Sequence, residues 1–170
     1  MAQRMHDNTI SEAVLSVAKL MAISAITAPK ARGIDNVVVK ILSDRDSIEL
    51  LAKKMEELSK EYGEFFARDA SNVRRSAAVV LIGCKIIRMG LKNPAKWVLD
   101  ADTVCNIVNL GIAIGSAVKT ASILNVDNRV MFSVGVAAQE LGLIDADYAF
   151  GIPLSAYPKS IYFDRVWPPR

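Results

Sequence analysis

Two cysteines, one histidine and a short cationic stretch are the residues of this chain whose types and spacing could do chemistry. Cys84 and Cys105 stand 21 positions apart, each among apolar neighbours. Iron–sulfur clusters are held by four cysteine thiolates as a rule, and no CxxC pair is present to seed one, so no iron–sulfur cluster is expected. The two thiols read as buried, hydrophobe-like side chains in a reducing compartment, with a redox pair or a metal site as the alternative. His6 is the sole histidine, which leaves no Ser-His-Asp arrangement and no histidine zinc site to assemble. Neither a GxxxxGK(S/T) loop nor a GxGxxG turn occurs, and Gly111-Ile-Ala-Ile-Gly115-Ser116 lies in an apolar run where glycine serves close packing. No catalytic residue is assigned, and the metal-ligand set is empty.

The stretch Ala28-Pro29-Lys30-Ala31-Arg32-Gly33-Ile34-Asp35-Asn36 combines a proline, two cations and a glycine. Backbone amides and cations gathered in such a loop can meet an anionic or planar ligand, and the same residues also make an ordinary connection with solvated charges. Lys159 and Arg165, near the end of the chain, carry the same two readings. Arg68, Arg74 and Arg75 form a further basic spot that reads as a solvated loop.

These residues need elements to position them. Thr9 and Glu12 form a capping box, and Ile10, Ala13, Val14, Val17, Leu20 and Met21 follow at helical spacing, which predicts a helix from Thr9 that ends before Pro29. Val37 to Leu42 is a β-branched strand. Asp46 is read as the cap of a second helix, whose apolar face is Ile48, Leu51, Ala52, Met55, Leu58 and Tyr62 and whose end is Gly63. After a polar stretch, Ser76 to Gly83 is apolar on both faces and reads as a central strand. Cys84 to Asp100 is irregular, a long apolar helix runs from Asp102 or Thr103 to about Leu124, and Asp127 is read as capping a helix over 128–141 that Gly142 closes. Tyr148 to Leu154 is the last strand, and the aromatic, proline-rich tail 155–170 either wraps its own domain or docks on a partner subunit, the second being preferred.

The 170 residues make a single domain, 1–170, with no linker to divide them. Basic and acidic residues number 21 and 18 and are interspersed, which argues against a nucleic-acid surface. The longest uncharged run, 103–118, covers 16 residues, short of the roughly 20 that cross a bilayer. With an amino terminus that resembles no signal or transit peptide, a cytoplasmic location is expected and no membrane partner.

Three stretches, 18–36, Asn109-Leu-Gly-Ile-Ala-Ile-Gly-Ser-Ala-Val118 and Val126-Asp-Asn-Arg-Val-Met-Phe-Ser-Val-Gly135, resemble one family, the uncharacterised ferredoxin-domain-containing proteins, and Gly151-Ile-Pro-Leu-Ser155 and Phe163-Asp-Arg165 continue the likeness. In that family a cysteine-rich stretch precedes the long apolar helix; here the stretch from Leu91 to Cys105 keeps only Cys105 as a counterpart. A second resemblance is to flavin-dependent nitroreductases: Thr27-Ala-Pro-Lys-Ala-Arg-Gly-Ile-Asp-Asn36 is similar to their helix–loop–strand opening, and Leu141-Gly-Leu143, Phe150-Gly-Ile-Pro153 and Lys159 to Arg165 are similar to their closing part. The arginine-rich opening that those enzymes place on the flavin phosphate is missing before Thr9. The resemblance implies an α+β, nitroreductase-like fold with a central mixed sheet flanked by helices, and a homodimer binding FMN between subunits. On it, Pro29, Lys30, Arg32 and Asn36 line the isoalloxazine and ribityl side, and Lys159 and Arg165 face the phosphate. The rival expectation is a cofactor-free scaffold or partner-binding protein that kept the family fold after losing its cluster cysteines.

Overall fold

The computed structural model describes the backbone of residues 2–163 and the side chains of residues 8–163. Four strands form one sheet in the order β1-β2-β4-β3, where β1 is Val37–Leu42, β2 is Ala78–Cys84, β3 is Asp127–Asn128 and β4 is Tyr148–Ser155. Every pairing is antiparallel, whereas a mixed sheet was expected. The reason is the connection from β1 to β2. Two helices, α2 (Arg45–Tyr62) and α3 (Phe65–Arg74), fill it. A pair of helices folded against each other brings the chain back to the end it left, and the next strand runs the other way.

The first helix, α1 (Ala2–Thr27), begins well before Thr9, so the expected capping box lies inside it; its end falls just short of Pro29 as the spacing requires. The cap of α2 is Asp44, which accepts from Ser47 N at 2.7 Å, while Asp46 sits in the first turn; Gly63, at φ +110°, closes the helix. The polar stretch after it is α3, whose Phe66, Ala70 and Val73 are buried; its apolar positions are too few and too interrupted by Arg68, Asp69 and Asn72 to show as a periodic run.

Asp100 caps α4 (Ala101–Ile123), accepting from Thr103 N at 2.9 Å. Asp127, expected as a helix cap, belongs to β3, and α5 starts only at Phe132 and runs to Glu140. Gly151 exchanges both backbone hydrogen bonds with Met131. Pro153, two residues further and facing the same way, has no N–H to offer, and β3 is held to two residues.

Each face of the sheet has its own core. Val80, Ile82, Ile152 and Leu154 pack under α1 and α4 with Ala18, Met21, Ala113 and Ala117. Val79 and Leu81 pack under α2, α3 and α5 with Leu51, Met55, Phe66 and Val134. Gly135 allows α5 to lie on β4, since a Cβ there would stand 1.9 Å from Ala149 O. Ile161 and Tyr162 also fold into this second core, so the described part of the tail wraps its own domain.

Two helical stretches, Asn8–Thr27 and Ala101–Ile123, are long and apolar enough to cross a membrane by length and composition, which corrects the shorter uncharged run counted in the sequence. Both lie against the sheet and bury one side in its core.

Candidate functional site

At the C-terminal end of α1, most polar side chains of the cationic loop are engaged within the chain. The Lys30 ammonium donates to Ile26 O and, at 3.1 Å, to Ala28 O, and stands 3.5 Å from Asp35, with its side chain only 6% exposed. It satisfies carbonyls that the end of a helix leaves without partners. Arg32, at φ 55°, donates to Met89 O. Pro29 is exposed and Asn36 is buried.

Asn36 is the centre of a three-asparagine network. Its amide donates to Lys85 O at 2.9 Å and to Asn106 Oδ1 at 2.6 Å, and its carbonyl accepts from Asn109 at 3.0 Å. Asn109 Oδ1 accepts from Ala31 N at 2.8 Å, and Asn106 donates to Ile87 O and Asp102 O. The Asp102 carboxylate collects the backbone N–H groups of Met89, Gly90 and Leu91 at 3.0–3.1 Å. Those bonds, Leu91's first among them, hold its carboxyl below the usual carboxylate range. The network ties loop 28–36 and loop 85–100 to α4, and little of it faces outward to a ligand.

A cleft lies against the N-terminal half of α1. Its volume is about 960 Å³, and it is bounded by Ile10 and Ser11 of α1, by Arg45, by residues 74–77, by Asn125 and Asp127 and by residues 155–158. Arg45 is held against the wall by Ser76 O at 3.2 Å and Arg74 O at 2.7 Å. Arg74 is neutralised twice, by Glu49 at 3.0 Å and by Glu56, and these contacts hold its guanidinium charged and both carboxyls below their usual range. Arg75 lies over the Tyr157 ring at 5.8 Å, and the Tyr157 hydroxyl donates to Arg75 O at 3.0 Å. Among the described residues neither Arg45 nor Arg75 has a carboxylate partner.

Ser155 contributes the remaining feature of the cleft. It is 1% exposed, and its Oγ has no hydrogen-bond partner among the described residues. Its hydroxyl is close enough to Tyr162 to favour that phenolate, but burial outweighs it and pushes the Tyr162 hydroxyl up to about 12. Two guanidiniums, an aromatic face and the Ser155 hydroxyl suit an anionic ligand that carries a planar ring.

The structure therefore separates the two halves of the site expected from the sequence. Loop 28–36 sits at one end of α1, and Lys159, next in sequence to Pro158 of the cleft wall, sits at the other. Ile10 and Thr27 are 17 residues apart on that helix, or roughly 25 Å at 1.5 Å per residue. Arg165 lies outside the described residues. Sequence reasoning missed Arg45, Arg75, Tyr157 and Ser155; the pair Arg74–Arg75 was visible as a basic spot but read as a solvated loop. Cys84 is buried, with its thiol pushed up to about 11 by that burial, and among the described residues no three metal-binding side chains come together.

A family described as uncharacterized proteins containing a ferredoxin domain matches residues 100–165. A protein of Archaeoglobus fulgidus, itself described only as uncharacterized, is 39% identical over 172 residues, which cover 91% of this chain and 93% of that one. Among solved structures, the hypothetical oxidoreductase YcnD of Bacillus subtilis superposes with a TM-score of 0.57 at 16% identity, over 85% of this chain and 58% of YcnD. A Desulfitobacterium hafniense nitroreductase with bound FMN gives 0.61 at 12%, over 85% and 78%. A BluB-like flavoprotein of Clostridium difficile gives 0.54 at 17%, over 91% and 84%. Identities this low establish a shared fold, the nitroreductase fold, and this chain spans little more than half of YcnD.

Proposed function

The chain belongs to the family of uncharacterized proteins containing a ferredoxin domain, and from that premise we propose that it is a nitroreductase-like oxidoreductase holding FMN in the cleft at the start of α1. The observation that carries this reading is a pair of guanidiniums, Arg45 and Arg75, that line one cleft without a carboxylate partner among the described residues, in a space large enough for a cofactor. The fold is one on which a relative carries FMN. A bound flavin would supply the hydride or electron chemistry itself, leaving the protein to bind and orient.

In this reading Arg45 and Arg75 hold the phosphate, with Lys159 and, in the tail, Arg165 adding positive charge. Arg45 is pre-set for that role by the two carbonyls that clamp it. Ser155 donates into the ligand, and the Tyr157 ring lies along a flat one. Pro29 and the backbone of loop 28–36 reach the cofactor from a second copy of the chain, because within one copy they stand at the far end of α1.

The same reading makes the protein a soluble, cytoplasmic homodimer. The outer sides of α1 and α4 support the dimer: Leu20, Ile23, Ile26, Ile107, Val108 and Ile112 are all exposed, and Trp97, Val98 and Leu99 just before α4 extend the apolar surface. Exposed apolar residues repeated along two helices that pack side by side suit an interaction face.

One observation favours the cofactor-free scaffold instead, namely that Lys30, Arg32 and Asn36 are each committed to bonds within the chain. An absorption spectrum of the undialysed protein, followed by titration with FMN, decides between them. The flavin reading expects the paired visible bands of oxidised flavin, or saturable uptake of added FMN that weakens about tenfold or more in Arg45→Ala/Arg75→Ala. A colourless protein that takes up no FMN would leave the scaffold.

A further inference from the structure

On the face of the sheet opposite α1 and α4, three exposed aromatic rings meet around one buried ring. Tyr62 stacks on Phe66 at 5.4 Å, Phe65 tilts against it at 4.9 Å, and Phe132 meets it edge-on at 6.0 Å. Phe66 is fully buried, while Tyr62, Phe65 and Phe132 remain 43%, 39% and 50% exposed. Since all three touch the same ring, they form one shelf and not scattered surface residues.

Exposed carboxylates flank two of these rings along the chain. Glu61 precedes Tyr62 and is exposed, as is Glu140 at the end of α5; the hydrogen bond and charge of Glu61, with the charge of Glu140, push the Tyr62 hydroxyl up. Glu64 precedes Phe65 and is exposed. Arg68, one turn on, is paired with Asp69 at 2.9 Å. The chain as a whole carries a net charge of +3, so this acidic rim runs against the overall charge.

We propose that the shelf of Tyr62, Phe65 and Phe132 with Glu61, Glu64 and Glu140 is a docking site for a cationic segment of another protein, its arginine or lysine heads laid on the rings and neutralised at the rim. Cations over aromatic faces are attracted by the ring quadrupole, and complementary charge at the rim steers the encounter. The site lies away from the cleft and does not depend on flavin being bound.

The test is fluorescence anisotropy of a labelled, end-blocked tetra-arginine peptide titrated with the full chain, with tetra-glutamate as control. Saturable tetra-arginine binding is expected, falling about tenfold in Phe65→Ala/Phe132→Ala and severalfold in Glu61→Gln/Glu64→Gln/Glu140→Gln, which keeps the rings and the packing on Phe66. No saturable binding of tetra-arginine, equal binding of tetra-glutamate, or binding that both variants leave unchanged would overturn the proposal.

Discussion

At the scale of single residues, the buried asparagines show how a polar group becomes structural. Asn109 stands between the half-buried Ala31 N and the buried Asn36 carbonyl, and Asn109→Ala removes the partner of both. The expected cost is about 1–3 kcal/mol, read as a lower urea midpoint at unchanged slope. The cysteines give a pH signature. Burial raises the Cys84 thiol from its ordinary 9.0 to about 11, so the folded chain keeps a proton that the unfolded chain releases. The stability this contributes is complete below pH 9 and is lost as pH rises toward 11. Urea titrations at pH 8 and at pH 10.5 should show a loss that is smaller in Cys84→Ala, and thiol labelling at pH 8 should reach the half-buried Cys105 before Cys84. The buried state of Cys84 was legible in its apolar neighbours. The opposite held for Lys30, whose attachment to Ile26 O and Ala28 O depends on how the chain turns after α1.

At the scale of elements, the junction of α5 with β4 is set by two glycines. Gly135→Ala would bring a Cβ to within 1.9 Å of Ala149 O, and at Gly151 the clash would be with Val134 at 2.0 Å. Because the first of these is backbone, G135A should cost about 3 kcal/mol or more, at or beyond ordinary overpacking, and appear as a large drop in thermal midpoint. Gly111→Ala and Gly115→Ala meet nothing within 4 Å inside the chain and should raise the stability of an isolated copy by up to about 1 kcal/mol each. The elements that sequence reading located well are those with strong periodicity and local stops: β1 matches to the residue, β2 and α4 to within about two, and Gly63 ends α2 as expected. α3 was not legible because its buried face is held by α2 and α5, long-range contacts that leave little mark on a ten-residue polar segment.

At the scale of the whole molecule, the apolar outer side of α1 and α4 should decide assembly. Val108→Glu/Ile112→Glu places two charges on that face, and sedimentation velocity should then show a monomer where the unaltered chain sediments as a dimer; if both sediment alike, the face is not the dimer contact. Flavin uptake should fall with it if, as proposed, the loop at Pro29 meets the cleft of a second copy. The chain's own pattern carried the alternation of helices and strands and the family likeness, because periodicity, caps and motifs are local properties that neighbours in sequence impose on one another. The tertiary structure alone decided that Lys30, Arg32 and Asn36 hold the chain together, and that Arg45, Arg75, Tyr157 and Ser155, drawn from distant segments, face one cleft. Whether a cation or a hydroxyl is satisfied depends on partners brought by other elements, and that information exists only once the sheet and its helices have closed around it.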